Sequence, residues 1–158
     1  MVLTFYPHPR IVLSKTPSSL FYLSTPEEKE ELLGSYGIQH LVIVSFDRSF
    51  SNITAAGFLE SVLIGKLNAG YLLAGHNHHF GKRGEGDMRT IEECAAHTGI
   101  KFERVEGVRA EEGYISSTLI REALLDGRLE RANIMLGYCY QLKGKVVAGR
   151  RLGKQIGF

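Results

Sequence analysis

The apolar positions fall into short unbroken runs separated by helical stripes. Met1 to Phe5 is a run of strand length. It is stopped by Tyr6-Pro7-His8-Pro9, where two prolines two apart predict a stiff loop at the strand's C-terminal end. Ile11 to Leu23 has no period and reads as irregular. Thr25-Pro26-Glu27-Glu28 is a capping box with proline at the first helical position. It predicts a helix that buries Leu32, Leu33 and Tyr36 and stops near Gly37. His40 to Phe46 is continuously apolar, which suits a strand covered on both faces of a parallel sheet. Thr54 opens a helix with Phe58, Leu59, Val62, Leu63 and Leu67 as its stripe, and Tyr71 to Ala74 is the next buried strand.

A glycine-rich loop runs from Gly75 to Gly86. Asp87 then caps a helix carrying Met88, Ile91, Cys94 and Ala95, closed by Gly99. Ile100 to Glu106 alternates as a strand, and Val108 to Ile115 reads as an edge strand turning at Glu111-Glu112-Gly113. Ser116-Ser117-Thr118 opens a helix to about Asp126, and Leu129 to Met135 is a further short helix. From Tyr138 the period becomes two, through Tyr140, Leu142 and Val146, as at the start of a β-rich unit. Strands alternating with helices predict an α/β fold with a doubly wound parallel sheet. Ligands of such folds sit beyond the strands' C-terminal ends. The unusual residues gather in three loops of that kind: Tyr6 to Pro9, Gly75 to Gly86, and Ile115 to Thr118.

Composition narrows the partners. The 158 residues suit one domain and a fragment of another. A net charge of +2 is too small to point to nucleic acid. Cys94 and Cys139 lie far apart outside any CxxC pattern and read as reduced thiols of a cytoplasmic protein. No apolar run approaches the roughly 20 residues of a membrane helix, and no signal peptide is expected. Met1 already reads as core strand and Gly153 to Phe158 stops inside a glycine-rich loop, so both ends read as parts of a longer chain. Oligomeric state is left open.

Local chemistry gives each loop two readings. At Ser116-Ser117-Thr118-x-x-Arg121 a helix start offers unpaired amides, hydroxyls and, one turn on, a guanidinium that can close over a phosphate. The alternative is an ordinary N-cap beside a surface arginine. In Gly75-His76-Asn77-His78-His79-Phe80-Gly81, glycines let amides approach an anion, Asn77 tolerates a left-handed backbone, and Phe80 can pack on a flat ring. Three histidines there suggest a metal, yet they lack helical i, i+4 spacing and a nearby cysteine, so no metal ligand is assigned. Lys82, Arg83, Glu85 and Asp87 read as a solvated turn. His8 can contact a phosphate or ribose, or simply sit in a turn. The tail from Gly144, with basic residues between its glycines, is either a phosphate cradle or a charged β-turn.

Taken in order, Thr4-Phe5-Tyr6-Pro7-His8-Pro9-Arg10, Gly75-x-Asn77-x-x-Phe80-Gly81 and Ile115-Ser116-Ser117-Thr118-x-Ile120-Arg121 resemble the motifs of prokaryotic bifunctional riboflavin kinase/FMN adenylyltransferases. The resemblance runs over essentially the whole chain. It implies a Rossmann-like nucleotidylyltransferase domain over residues 1–136, and the beginning of a β-barrel riboflavin kinase domain over 137–158. It implies FAD biosynthesis: riboflavin is phosphorylated by ATP to FMN, and AMP from ATP is joined to FMN with release of pyrophosphate. Magnesium would accompany ATP, and the partners would be ATP, FMN and riboflavin. Carried over, Asn77, Ser116, Ser117, Thr118 and Arg121 would bind ATP. Pro7, Pro9 and Phe80 would shape the flavin side, and His8 and Arg121 would act in catalysis. Gly149, Gly153, Lys154 and Gly157 would belong to the kinase loop, with Lys154 standing where the family usually has arginine.

The family's first strand, with its His-x-Gly-His motif, is expected before Met1, and a Pro-Thr-Ala-Asn run after Phe158. One lost donor to transition-state charge typically costs about 10²–10³ in rate, so this stretch alone is expected to be nearly inactive. The rival readings are another nucleotidylyltransferase with the same Ser-Ser-Thr-x-x-Arg motif, or a nucleotide-binding module without catalysis.

Overall fold

The computed structural model describes residues 1–14, 21–110, 113–147, 149 and 157. The chain divides into two compact units, Met1–Ile115 and Ser116–Phe158.

In the first unit β1 (Val2–Tyr6) pairs in parallel with β2 (Leu41–Ser45), from Val2 opposite Leu41 to Tyr6 opposite Ser45. β3 (Tyr71–Gly75) pairs in parallel with β4 (Lys101–Val105), from Tyr71 opposite Lys101 to Gly75 opposite Val105. Parallel neighbours cannot be joined by a tight turn and need a crossover. Between β1 and β2 the chain runs through α1 (Pro9–Leu13) and α2 (Pro26–Ser35). Between β2 and β3 it runs through α3 (Ala55–Gly57), which continues as a π-helical segment, Phe58–Lys66. Between β3 and β4 lies α4 (Met88–Thr98). β5 (Arg109–Ala110) and β6 (Gly113–Tyr114) close an antiparallel hairpin.

The helix boundaries follow from caps legible in the sequence. The Thr25 hydroxyl accepts from Glu28 N and the Glu28 carboxylate from Thr25 N, closing the capping box of α2. Asp87 and Thr90 do the same for α4, and Gly99 ends it at φ 73°, a left-handed turn that costs glycine little.

Leu59, Ile91 and Cys94 form the buried centre of this unit, with Leu63, Ile64, Leu72, Ala74, Phe80, Met88 and Phe102 packed against it. The segment opening at Ala55 ties both strand pairs together. Leu59 joins the cluster over β3 and β4, while Phe58 meets Phe5 of β1 at 6.3 Å between ring centroids. Burying one such side chain contributes about 1.5–3 kcal/mol.

Several expectations are corrected. Among the described residues the strands form two parallel pairs and a hairpin, not one continuous sheet. The strands read as covered on both faces are covered on one. Leu72 and Ala74 face the helices, whereas Leu73 is 66 % exposed and Ile43 of β2 is 44 % exposed. Successive strand side chains alternate in direction, so each helix layer can cover only every second residue. Tyr36 does not join the buried side of α2; it is the C-cap, and its ring is exposed. The stretch from Ile11 to Leu23 is not wholly irregular, since Ile11, Val12 and Leu13 belong to α1.

The second unit is built on α5 (Ser117–Leu125) and α6 (Leu129–Leu136). They pack through Ile120, Ala123 and Ala132, all buried. Gly137 ends α6 at φ 75°. Asn133 Oδ1 then accepts from Tyr140 N at 2.8 Å, holding the following chain against the helix. No strand forms among the described residues after Leu136, although the pattern from Tyr138 has a period of two. A strand exists only by pairing, and none of those residues has a ladder partner. Gly149 is exposed and Gly157 stands in a turn at φ 91°, while Gly153 and Lys154 of the expected kinase loop lie outside the described residues.

Candidate functional site

β1 delivers the first loop. The Tyr6–Pro7 peptide is cis, and His8 caps α1, with Pro9 at its first position. His8 Nδ1 accepts from Arg10 N at 3.1 Å, so in the neutral ring the proton sits on Nε2. The backbone amide of His8 donates to the Tyr22 hydroxyl at 2.8 Å. Tyr22 also packs against Tyr6 and His8, at 5.8 and 6.4 Å between centroids. These contacts fix the imidazole in one orientation.

β3 delivers the second loop. His76 N donates to Val105 O, extending the β3–β4 ladder by one residue. His78 N donates to Gly75 O, which turns the chain and leaves Asn77 exposed at the bend. Phe80 and Gly86 then exchange two backbone hydrogen bonds, of 3.1 and 2.9 Å, and close a small lobe. Gly81, Arg83 and Gly84 within it have φ of 74°, 57° and 70°. Phe80 does not stand open to a ligand on all sides. It packs on Phe58 at 5.9 Å, and His78 lies flat on it at 5.7 Å. Partial burial of its ring, helped by the neighbouring His79, lowers the pKa of His78 from its ordinary value.

The connection after β4 adds a third group. Gly107 passes between His76 and Tyr114, where an added Cβ would come within 2.7 Å of either ring. The two rings lie 5.2 Å apart, and Arg109 covers Tyr114 at 4.8 Å while donating to its hydroxyl.

In the second unit Ser116 Oγ accepts from Leu119 N at 3.3 Å and caps α5. Ser117 and Thr118 are exposed in the first turn. Arg121 bends back and donates from Nη1 to Ser117 O at 3.2 Å, so guanidinium and hydroxyls gather at one helix start. Ser116, Ser117, Thr118 and Arg121 are therefore neighbours, as the spacing predicts. In the first unit Phe5, Phe58, Phe80 and His78 form a continuous series of ring contacts from β1 to the Asn77 bend. Among the described residues no cluster of three His, Cys, Asp or Glu side chains is placed to hold a metal.

Two contacts had little or no signal in the sequence. Tyr22 falls in a stretch without period. Glu85 reads as a solvated charge, yet its Oε1 accepts from Ala55 N at 3.0 Å, thirty residues away along the chain.

The family model of FAD synthetase matches residues 1–119. The chain belongs to the FAD synthetase family. The match spans the Pro7–Pro9 loop, the loop from Gly75 to Gly86, and the first turn of α5 as far as Leu119. Bifunctional riboflavin kinase/FMN adenylyltransferases are its curated relatives: that of Listeria monocytogenes is 38% identical over 99% of this chain and 49% of its own length. Those of Bacillus subtilis and Escherichia coli are 34% and 33% identical. The chain spans about half the length of the curated relatives it matches. A solved Streptococcus pneumoniae structure, described as a macrolide-efflux protein, aligns with a TM-score of 0.85 at 31% identity, over 98% of this chain and 50% of that one. The FAD synthetase family member shares that fold; among its described residues no helix is long and apolar enough to cross a membrane.

Proposed function

We propose that residues 1–136 form an FMN adenylyltransferase module of FAD biosynthesis, and that residues 137–158 begin a riboflavin kinase module. In the first reaction a phosphate oxygen of FMN attacks the α-phosphorus of ATP. The bond from that phosphorus to the bridging oxygen breaks, and pyrophosphate leaves. Positioning and charge stabilisation supply the catalysis, with no covalent enzyme intermediate.

In this reading the amides and hydroxyls of Ser116, Ser117 and Thr118 hold ATP phosphates, and Arg121 offsets the charge that develops on them. Asn77 serves the nucleotide. Pro7, Pro9 and Phe80 line the flavin side, with His8 oriented toward a phosphate or ribose oxygen. Magnesium would arrive on the triphosphate, which suits an ion that keeps several waters and binds largely through substrate phosphates. Gly149, Gly153, Lys154 and Gly157 would serve ATP or riboflavin in the kinase reaction. A cytoplasmic location accords with two free thiols, Cys94 and Cys139.

The observation that carries the reading is the family match over residues 1–119, which includes all three loops. The test is a titration of FMN fluorescence with the chain, with and without ATP and magnesium, alongside an assay for FAD. Saturable quenching is the expected result. Absence of any flavin binding would overturn the assignment, and FAD formed from FMN and ATP would support the adenylyl transfer directly.

A further inference from the structure

The loop carrying Asn77 and Phe80 is seated on the first residue of α3, and the contact is unusually tight. Ala55 is 4% exposed, and the lobe from Phe80 to Gly86 lies directly against it. A Cβ at Gly81 would fall 2.6 Å from both the Ala55 nitrogen and its Cα. A Cβ at Gly86 would fall 2.6 Å from the Ala55 Cβ and 2.9 Å from the Phe80 ring. Contacts this short leave no room for any side chain at 81 or 86, nor for more than a methyl at 55. Across the same junction Glu85 Oε1 accepts from Ala55 N at 3.0 Å. That amide is at the start of a helix and has no intrahelical acceptor, so the carboxylate satisfies an orphan donor and faces the positive end of the helix.

We propose that Glu85 is a positioning residue for the nucleotide and flavin loop, acting through the backbone of Ala55. The inference rests on the adenylyltransferase reading above. Glu85 fixes the lobe, the lobe fixes Phe80 through its two hydrogen bonds with Gly86, and Phe80 fixes the bend at Asn77 through the stacked His78. Glu85 itself need touch no substrate.

The test compares the full chain with Glu85→Ala, which removes the acceptor, and Glu85→Gln, which keeps a side-chain oxygen for Ala55 N. Amide hydrogen exchange reads the lobe at Phe80 and Gly86, with the β3–β4 amides as the internal measure of folding. FMN fluorescence quenching reads the site. Loss of a hydrogen bond to a charged group predicts that Glu85→Ala speeds exchange at Phe80 and Gly86 about tenfold and weakens FMN binding about tenfold, while β3–β4 protection holds. Glu85→Gln should recover most of both. Unchanged exchange in Glu85→Ala would overturn the clamp. A loosened lobe with wild-type FMN affinity would overturn the positioning role and leave the proposed function standing. If the unmodified chain binds no FMN, the proposed function fails and the positioning role with it, whereas the exchange data still report whether the clamp exists.

Discussion

Arg121 reaches back one turn of its own helix to donate to the carbonyl oxygen of Ser117 at 3.2 Å. One arm of the fork is thus anchored to the backbone of the first turn, which limits the directions the planar group can take. On the proposed reading, Arg121→Ala costs about 1.5–3 kcal/mol of ATP affinity, a ten- to hundredfold loss. Arg121→Lys keeps the charge but cannot both hold Ser117 and present a second donor in the same plane, so it should recover only part. Calorimetric titration with ATP and magnesium checks this; full recovery by lysine would show that charge alone matters.

Ser116 acts on the same turn. Its hydroxyl accepts from Leu119 N and caps α5. Ser116→Ala should destabilise the start of α5 by about 1 kcal/mol, and Ser116→Asn should restore it. Hydrogen exchange at Leu119 and Ile120 is the direct measure.

The caps were the most legible features of this chain, because each is a local bargain between residues three or four apart. Thr25 with Glu28, the Asp87 cap and the terminating Gly99 all stand where the sequence puts them. The faces of the strands were not legible. An unbroken apolar run such as Tyr71 to Ala74 carries no sign of which side a helix will cover, and Tyr71 and Leu73 prove exposed while Leu72 and Ala74 pack inward. His8 was singled out as a titratable group, but its role as a helix cap depends on a five-residue helix too short to show a period. The engagement of Glu85 with Ala55 and of Phe80 with Phe58 links residues more than twenty positions apart, beyond the reach of any local pattern.

Among the described residues Phe58 is one point of contact between β1 and the loop that follows β3. Its ring meets Phe5, Phe50 and Phe80 at 6.3, 6.1 and 5.9 Å. Phe58→Ala should cost about 3–5 kcal/mol, and Phe58→Leu much less, since leucine retains most of the apolar volume. Urea denaturation followed by far-UV circular dichroism measures both. A loss below about 1 kcal/mol for alanine would mean that the ring contacts are not shared with a packed core.

His78 gives the first unit a pH dependence with a definite sign. Its pKa is lowered from the ordinary 6.5, first by partial burial of its ring and second because His79 stands beside it. In a window opening near 6.5 and running downward, the unfolded chain therefore binds more protons at this position than the folded one, and stability falls as the pH falls. Below the lowered value both states are protonated and this contribution levels off. The carboxylates of Asp47 and Asp87 are also lowered, from 3.8, by hydrogen bonds to backbone amides, so the stability they add is lost only in a separate, more acidic range. Thermal melts at steps of pH should show a decline beginning near 6.5 that His78→Gln removes, leaving the acidic decline in place. A decline identical in both proteins would mean that His78 is solvated in the folded chain and does not lie against Phe80.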